Sequence, residues 1–261
     1  MQPFISLLII AKNSEGMVGK ALKSVKELVD EIVFVDNGST DKTIEIAKEF
    51  GARIFINKTN DLGQLRKFGL EKCQGEWVLV IDSDEVVSRP LYNEIKTLVK
   101  NKSKLNKFDG YFIPFQNHFL GKKLKYGGEN YKKLIFFKKK VVKIGSALVH
   151  EKFELKNANP GELKNKIFHY SYRSLWQMYK KFTNYAIREA NQKLKKGEKA
   201  SLKKIFLYPL HMFYARFIED KGYKDGILRI PLDLGFAYME FLTYLILFLK
   251  SNIKMKKRLN L

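Results

Sequence analysis

Three carboxylates follow directly after a short apolar run, in the stretch VIDSDEVVS at residues 80–88. Alternate residues of an extended chain face the same side, so Asp82 and Asp84 are expected to point the same way at the end of a strand. Two oxygen ligands suit a hard divalent cation, Mg²⁺ or Mn²⁺, that keeps positions open for phosphate oxygens and water. The alternative is an acidic turn, followed by a helix that Ser88 caps.

A second candidate group lies in VDNGSTD, at residues 35–41. Asp36 is placed where a carboxylate accepts hydrogen bonds from a nucleobase or a ribose, and Gly38 permits close approach of the backbone. Asn13 and Glu15, in AKNSEG, are candidates for the same ligand. The alternative for Asp36 is a strand, a turn and a helix cap without any ligand.

Polar residues also open the helix that is predicted over NDLGQLRKFGLEKCQG. They are Gln64, Arg66 and Lys67, and the amino end of a helix itself favours an anion. Arg66 is placed to pair with a diphosphate or with a carboxylate such as Asp82. For Lys67, a solvated basic face is the preferred interpretation.

Histidine is scarce, with four residues in the chain, and two of them lie in later strand-like segments. His150 and Glu151 are adjacent in SALVHEKFE, and His169 lies in KIFHYSY. Glu151 is a candidate general base, and His169 is a candidate metal ligand or phosphate contact. A structural role is the alternative for each histidine.

The elements that position these residues alternate between strands and helices over residues 4–82. Runs of Val, Ile, Leu and Phe without polar alternation are typical of a parallel sheet that is covered on both faces. The pattern predicts a doubly wound α/β fold, in which the loops at the carboxyl ends of the strands share one crevice. Helix caps are predicted at Ser39 and Asp61, and left-handed glycines that end helices at Gly51 and Gly75.

After a helix over 88–100, short strand-like pieces predict antiparallel or mixed strands that complete a domain of residues 1–172. Residues 173–261 are predicted to be helical, with Ser174 as a cap. Their last apolar stretch carries Glu240 and has about 14 residues, against the roughly 20 that span a bilayer. Because a Lys- and Arg-rich segment follows, it is interpreted either as a helix at a membrane surface or as a core helix with a basic tail.

Composition narrows the classes of function. A single cysteine, Cys73, rules out an intramolecular disulfide and a multi-cysteine zinc site, and indicates a reducing compartment. The formal net charge of +22 predicts attraction to polyanions: nucleic acid, an anionic membrane surface or phosphorylated small molecules. No nucleic-acid motif is recognised, so no nucleic-acid partner is expected. The apolar start of the chain is interpreted as a first strand and not as a signal peptide.

Four stretches, in order, resemble the GT-A fold inverting glycosyltransferases of family 2, and among them the lipopolysaccharide core β-glucosyltransferases. They are LIIAKNSEGMVGKALKSV, EIVFVDNGSTDKTIEIAKEFGARIF, GQLRKFGLEKCQGEWVLVIDSDE and VHE. The likeness covers residues 4–155, and more loosely GYKDGILRIPLDLGFAYMEFL. It implies a GT-A fold: a Rossmann-like mixed sheet with helices on both faces, followed here by an all-helical carboxyl-terminal region.

The resemblance also implies a nucleotide diphosphosugar donor, with a UDP-sugar as the expected one. Together with the patterns above, it assigns donor binding to Ala11, Lys12, Asn13, Glu15, Asp36, Gly38, Gln64, Arg66, Asp82 and Ser83. It places Mg²⁺ or Mn²⁺ on Asp84 and matches Glu151 to the family's base, while His169 stays a second candidate ligand on the sequence pattern alone. Lys132 and Lys133 stand where the family often has arginine, which makes a bidentate phosphate contact doubtful there.

The implied reaction is one in-line displacement that inverts the anomeric configuration. Glu151 removes the acceptor's proton, while the metal stabilises the departing diphosphate. The expected acceptor is a lipid-linked or phosphorylated glycan, and the expected location is the cytoplasm, peripheral on the inner face of the cell membrane. Two alternatives stay open: transfer to a polyprenyl phosphate, which needs no base, and a non-enzymatic basic module that binds nucleic acid or membrane.

Overall fold

The structure, a computed structural model, describes residues 4–59, 61–129, 131–144, 153–155 and 158–258. Its strands are β1 Ile5–Ala11, β2 Glu31–Asp36, β3 Arg53–Ile56, β4 Trp77–Asp82, β5 Glu85–Val87, β6 Gly110–Phe119, β7 Lys122–Lys123, β8 Lys132–Lys138, β9 Val142–Ile144, β10 Phe153–Leu155, β11 Pro160–Glu162 and β12 Ile167–Tyr172. Its α-helices are α1 Glu15–Lys23, α2 Thr43–Glu49, α3 Leu62–Lys72, α4 Arg89–Lys100, α5 Lys102–Leu105, α6 Leu175–Lys195, α7 Leu202–Tyr214 and α8 Arg229–Arg258.

Four parallel strands, in the order β3, β2, β1, β4, form one half of the main sheet. Consecutive residues of β1, β2 and β4 are nearly all buried. Because successive side chains of a strand point to opposite faces, this burial means that both faces of the sheet are covered. The predicted α/β fold is therefore confirmed, and its strands are the apolar runs from which it was predicted.

The second half of the sheet is formed by β8, β6, β12 and β5, in that order beyond β4. The pairs β4 with β8, β8 with β6, and β12 with β5 are antiparallel, so the sheet is mixed, as predicted. Strands β7 and β11 also pair with β6, and β9 and β10 form a separate two-stranded sheet. The register of β12 on β5 sets His169 opposite Glu85.

The chain divides into two compact units. The first comprises residues 1–116 and 131–169, and the second comprises residues 117–130 and 170–261. The domain boundary drawn from the sequence at residue 172 assigned 117–130 to the first domain, whereas here this segment belongs with the helices. The hydrophobic periodicity of segment 117–130 does not reveal that it packs with the helices, because this packing is made by residues far apart in the sequence. The buried residues of that packing are Phe119, Leu124, Met178, Phe182 and Leu232.

Most of the predicted helix ends are confirmed. Asp61 and Ser174 cap α3 and α6 by accepting backbone N–H groups, and Gly51 has the left-handed φ of +76°. The expectation for Ser39 was wrong, since α2 begins at Thr43 and Lys42 is its N-cap residue. Gly75 was also misinterpreted: it is not left-handed, and a Cβ there would lie 2.6 Å from Ser6 Oγ.

Within the second unit, a buried arginine anchors the segment that precedes β8. Arg229 is fully buried and donates to the carbonyl oxygens of Tyr126 and Gly127 at 3.1 and 2.8 Å. Its Nε donates to Asp233 at 2.8 Å, so the charge is paired as burial requires. Gly127 has a φ of +68°, and a Cβ there would lie 1.9 Å from Arg229 Nη2, so only glycine fits.

Helix α8 is longer than the sequence suggested. Its 30 residues include Arg229–Asn252, which is long and apolar enough, by length and composition alone, to cross a bilayer, since an 18-residue window within it has a mean hydropathy of 1.6. The apolar stretch of about 14 residues that was counted in the sequence is therefore shorter than the apolar part of this helix. A third of that window is buried within the protein, and a core helix of a soluble protein meets the same criterion.

Candidate active site

The carboxyl ends of three neighbouring strands bring the candidate residues to one edge of the sheet. Strand β1 lies between β2 and β4, with Ala11 paired to Asp36 and Ile10 paired to Asp82. The N–H of Asn37 donates to the Ala11 carbonyl oxygen at 2.9 Å. Ligands of open α/β sheets bind at this edge, because the connecting loops leave a crevice there.

Asp36 is fully buried and holds the turn after β2 with one of its two carboxylate oxygens. Its Oδ2 accepts the backbone N–H groups of Gly38 and Ser39, both at 2.8 Å. Gly38 has a φ of +79°, a conformation in which other residues are strained. Oδ1 of Asp36 has no hydrogen-bond partner among the described residues. A buried carboxylate oxygen of this kind is costly unless a donor reaches it, so Asp36 offers an acceptor to a ligand.

Asn13 and Glu15 lie beside Asp36 and hold the loop between β2 and α2. The Asn13 side chain accepts the Thr40 N–H at 2.8 Å, and the Asn13 N–H donates to Ser39 Oγ at 2.9 Å. The Glu15 carboxylate accepts the Lys42 N–H at 3.1 Å. Because these polar groups bond to the loop backbone, they give the loop after Asp36 a defined shape. Sequence reasoning placed both residues near a ligand and did not foresee this role.

Contacts with other parts of the chain, and one hydrogen bond within it, hold the acidic segment at the end of β4. Ser83 Oγ hydrogen-bonds to Ser14 Oγ at 2.8 Å, which joins it to the loop after β1. Arg66 Nη2 lies 3.8 Å from Asp82 Oδ2, one of the two pairings that the sequence predicted for Arg66. The Asp82 N–H donates to Glu85 Oε2 at 2.9 Å. The carboxylates of Asp82 and Asp84 therefore project from a turn that these contacts hold in place.

His169 is brought to the acidic segment by β12. Its Nε2 lies 3.5 Å from Asp84 Oδ1, and its Nδ1 lies 3.2 Å from the Tyr131 hydroxyl. The Phe115 ring packs edge-on against the imidazole, with centroids 6.1 Å apart. Burial acts to lower the pKa of His169, but the hydrogen bond and negative charge of Asp84, with the charge of Glu85, outweigh it and raise the pKa.

An ion pair between a buried carboxylate and a half-buried lysine lies next to this cluster. Glu85 is 2% exposed, and its Oε1 is 3.1 Å from the ammonium nitrogen of Lys133, which also lies 4.4 Å from the Phe115 ring centroid. Burial raises the pKa of Glu85 despite the opposing charge of Lys133. Burial acts to lower the pKa of Lys133, but the charges of Glu85 and Asp82 raise it above its usual value.

The remaining predicted site residues fall into two groups. Lys12 and Gln64 have exposed side chains, and the Gln64 backbone N–H is held by the Asp61 cap. His150 and the predicted base Glu151 lie outside the described residues. Sequence reasoning gave no role to Tyr131, and it considered Lys133 as a phosphate contact and not as the partner of Glu85. The pairing of strands β12 and β8 with their neighbours brings Tyr131 and Lys133 to these positions. A single sequence does not reveal how these strands pair.

The donor groups near Asp84 suit a metal ion that takes only part of its ligands from the protein. Within the described part of the chain, no group of three or more His, Cys, Asp and Glu side chains is arranged to hold a metal ion. Asp84 and His169 form a pair, with Asp82 close in sequence. Mg²⁺ commonly takes one or two carboxylates and completes its shell with substrate phosphates and water. The pair suits a cation of that kind and not an all-protein cage.

Comparison with known proteins assigns the family. Residues 6–150 match the family described as Glycosyl transferase family 2. The chain belongs to this family. An uncharacterised glycosyltransferase of Rickettsia typhi is 28% identical over 247 residues, which cover 91% of this chain and 84% of that protein. One of Rickettsia prowazekii is 27% identical over 254 residues, with the same coverage. The resemblance to family 2 drawn from the sequence is thus confirmed, and its narrower part, a likeness to the lipopolysaccharide core enzymes, stays a prediction.

Solved structures give matches over most of the chain. The crystal structure of S. aureus TarS matches with a TM-score of 0.46 and 13% identity, over 94% of this chain and 55% of that one. TarS 1-349 in complex with UDP-GlcNAc gives the same TM-score at 15% identity, over 94% of this chain and 90% of that one. The family assignment does not depend on these likenesses, since the sequence match alone covers more than half of the chain.

Proposed function

We propose that this family 2 glycosyltransferase moves a sugar from a nucleotide diphosphate sugar, with UDP as the nucleotide, to a hydroxyl of a lipid-linked or phosphorylated glycan. The observation that carries the proposal is Oδ1 of the buried Asp36, which accepts no hydrogen bond from any residue that the structure describes and lies at the edge where Asp82 and Asp84 also emerge. A carboxylate oxygen accepts hydrogen bonds only, and the imide N–H of uracil is a donor of matching kind. Base recognition at Asp36 would thereby remove the cost of an unsatisfied buried oxygen.

The diphosphate would lie beside the acidic segment. Asp84 and His169 would hold a Mg²⁺ or Mn²⁺ ion, whose charge, when bound, favours a diphosphate leaving group. Asp82 would contact the ribose or the sugar, with Ser83 beside it. Arg66, now 3.8 Å from Asp82, carries a guanidinium that suits a phosphate equally well. Ala11, Lys12, Asn13, Glu15, Gly38 and Gln64 complete the proposed donor site.

The transfer step requires a base for the acceptor. Glu151 is proposed to take the proton of the acceptor hydroxyl as its oxygen attacks the anomeric carbon and the bond to the diphosphate breaks. A single displacement of this kind inverts the anomeric configuration. The reaction balances, because the proton goes to Glu151 and the bonding electrons leave with the diphosphate.

The acceptor and the location are proposed from charge. A net charge of +22 attracts anionic glycans and the anionic inner leaflet, so the protein is proposed to act in the cytoplasm, peripherally on the inner face of the cell membrane. A lipopolysaccharide core acceptor, with its phosphorylated sugars on a lipid, fits both features. This narrower assignment follows the sequence resemblance.

Calorimetric titration with a panel of nucleotide sugars, with and without Mn²⁺, tests the proposal. We expect Asp36→Asn to weaken UDP binding about tenfold or more in both conditions, since the new amide can turn a donor toward the base. We expect Asp84→Asn to bind UDP without metal as the wild type does, but to gain nothing from Mn²⁺. Glu45→Gln, an exposed carboxylate on α2, is the control. Absence of nucleotide-sugar binding by the wild type would refute the proposal.

A further inference from the structure

Helix α7 exposes a stripe of large apolar side chains. Leu202, Phe206, Leu210 and Tyr214 follow one another at intervals of four, so they share one face of the helix. They are 62%, 61%, 66% and 51% exposed. Ile205, on another side of the helix, is buried in the core of the second unit. Its partners there are Ala190, Tyr244 and Leu247. The helix is therefore packed on one face and uncovered on another.

The stripe is part of a larger apolar surface. Leu207 and Tyr208 on α7 are also exposed, and so is Ile218 in the π-helical turn that continues the helix. Soluble monomers rarely expose contiguous apolar surfaces larger than about a few hundred Å², and a larger one usually marks an interaction site. We call the surface formed by Leu202, Phe206, Leu207, Leu210, Tyr214 and Ile218 the α7 face.

The positive charges beside the α7 face favour an anionic lipid surface over a second copy of the chain as its partner. Residues 193–204, which lead into α7, contain six lysines and one glutamate. Helix α7 itself contains Lys203 and Lys204 and no acidic residue. Two copies of so basic a surface repel each other, whereas an anionic lipid surface attracts each lysine. Apolar side chains beside lysines on a short helix are the combination that binds in the headgroup region of a bilayer.

We propose that the α7 face docks on the surface of an anionic phospholipid bilayer. Helix α7 would lie in the plane of the membrane, with Leu202, Phe206 and Leu210 inserted below the headgroups. Lys203, which is exposed, would extend its apolar stem over the same layer and reach lipid phosphates with its ammonium group. Thirteen residues are too few to cross a bilayer, so α7 rests on the membrane. This docking does not depend on the transferase reaction.

Vesicle flotation of the full chain tests the proposal. Vesicles of phosphatidylcholine alone are compared with vesicles of equal parts phosphatidylcholine and phosphatidylglycerol. The wild type is expected to float with the anionic vesicles only, and less so when salt is raised from about 0.1 M to about 0.5 M. The double variant Phe206→Ser/Leu210→Ser is expected to bind about tenfold more weakly. Ile56→Ser, which removes an equally exposed isoleucine from β3, is expected to float as the wild type does.

A fluorescence experiment distinguishes insertion of the α7 face into the bilayer from electrostatic attraction to the bilayer surface. With Trp176→Phe removing an exposed indole, a tryptophan introduced by Phe206→Trp is expected to shift its emission to the blue on anionic vesicles. Flotation of the double variant at the wild-type level, or an unshifted emission, would overturn the proposal. So would light scattering that shows a dimer of the wild type and a monomer of the double variant, because the α7 face would then bind a second copy. Nucleotide binding is measured on the same samples and is expected to be unchanged.

Discussion

Nε2 of His169 lies 3.5 Å from Oδ1 of Asp84, although the two residues come from distant parts of the chain. The antiparallel pairing of β12 with β5 brings them together, since it sets His169 opposite Glu85, the neighbour of Asp84. The Tyr131 hydroxyl, on Nδ1 of the imidazole, orients the ring. The histidine is therefore presented to the acidic segment by the sheet itself, in a fixed orientation.

Removing this imidazole is expected to weaken metal binding. We expect His169→Ala to lower Mn²⁺ affinity in the presence of UDP by about ten- to hundredfold, because one nitrogen ligand is lost while the carboxylates stay. Electron paramagnetic resonance of free Mn²⁺ measures the affinity without requiring turnover. His211→Ala, an exposed histidine on α7, is the control. A variant at position 169 that binds Mn²⁺ as the wild type does would remove His169 from the metal site.

The ion pair of Glu85 and Lys133 is expected to stabilise the turn that carries the aspartates. Lys133→Met leaves a buried carboxylate without its cation, and Glu85 also accepts the Asp82 N–H. Full loss of a buried partner costs about 3–5 kcal/mol, and the Lys133 side chain is 38% exposed, so we expect about 2 kcal/mol. Urea unfolding measures the change in the free energy of unfolding.

Two further variants show whether the buried charge is the cause. Glu85→Gln combined with Lys133→Met is expected to be more stable than Lys133→Met alone, because a neutral amide still accepts the Asp82 N–H and needs no cation. Lys132→Met removes the neighbouring lysine, which pairs with the exposed Glu162, and is expected to change stability by less than about 1 kcal/mol. Equal losses for Lys132→Met and Lys133→Met would contradict this account.

The strand ends of this site were predictable from local sequence, and its cross-strand partners were not. The apolar runs before Asp36 and Asp82 determine where β2 and β4 end, so the sequence places both carboxylates at one edge of a parallel sheet. His169 and Lys133 lie on antiparallel strands, and a shift of one residue in their register would turn each side chain to the other face. Their partners therefore depend on pairing that no local pattern encodes.

The contacts of the loop residues were also not predictable from local sequence. The sequence identified Asn13 and Glu15 as polar residues at a strand end, but only the structure shows that they bond to the backbone near Thr40 and Lys42. Segment 117–130 was likewise assigned by its place in the sequence, whereas its anchor is the buried Arg229. Contacts between distant segments decide both cases.

Glu31 is expected to make stability fall in acid. Its carboxylate accepts hydrogen bonds from Ser6 Oγ and from the N–H of Gln74, and it pairs with Arg53 at 2.6 Å. Burial acts to raise its pKa, but these hydrogen bonds and the arginine charge outweigh it and lower the pKa in the folded state. At neutral pH we expect Glu31→Gln to lose about 1–2 kcal/mol.

The sign of the pH dependence follows from the lowered pKa. Stability from Glu31 is complete above its unfolded pKa of about 4.3 and is lost as the pH falls through the folded value. The gap in unfolding free energy between wild type and Glu31→Gln should therefore narrow between about pH 6 and pH 3. Glu162→Gln, at an exposed ion pair, should show little gap at either pH. A Glu31→Gln gap that is constant with pH would refute this.

The thiol of the single cysteine is expected to be unreactive in the folded protein. Cys73 is 1% exposed, and burial, together with the charge of Glu31, raises the pKa of its thiol to about 12. At pH 8 we expect a disulfide reagent to modify it about a hundredfold more slowly in the folded protein than in urea, because little thiolate is present or reachable. Ser103→Cys in a Cys73→Ala chain gives an exposed thiol as control. Equal rates for both thiols would contradict the burial of Cys73.

The identity of the base decides between two kinds of acceptor. If a neutral hydroxyl attacks the sugar, Glu151→Gln is expected to lower the transfer rate by about 10² to 10⁴-fold and to leave donor binding unchanged, since the amide cannot take the proton. An acceptor phosphate is already an anion and needs no base, so a variant with full activity would instead point to a polyprenyl phosphate. Glu154→Gln, an exposed carboxylate on β10, controls for the change in charge. Because donor binding is titrated separately, loss of the base is distinguished from loss of the site.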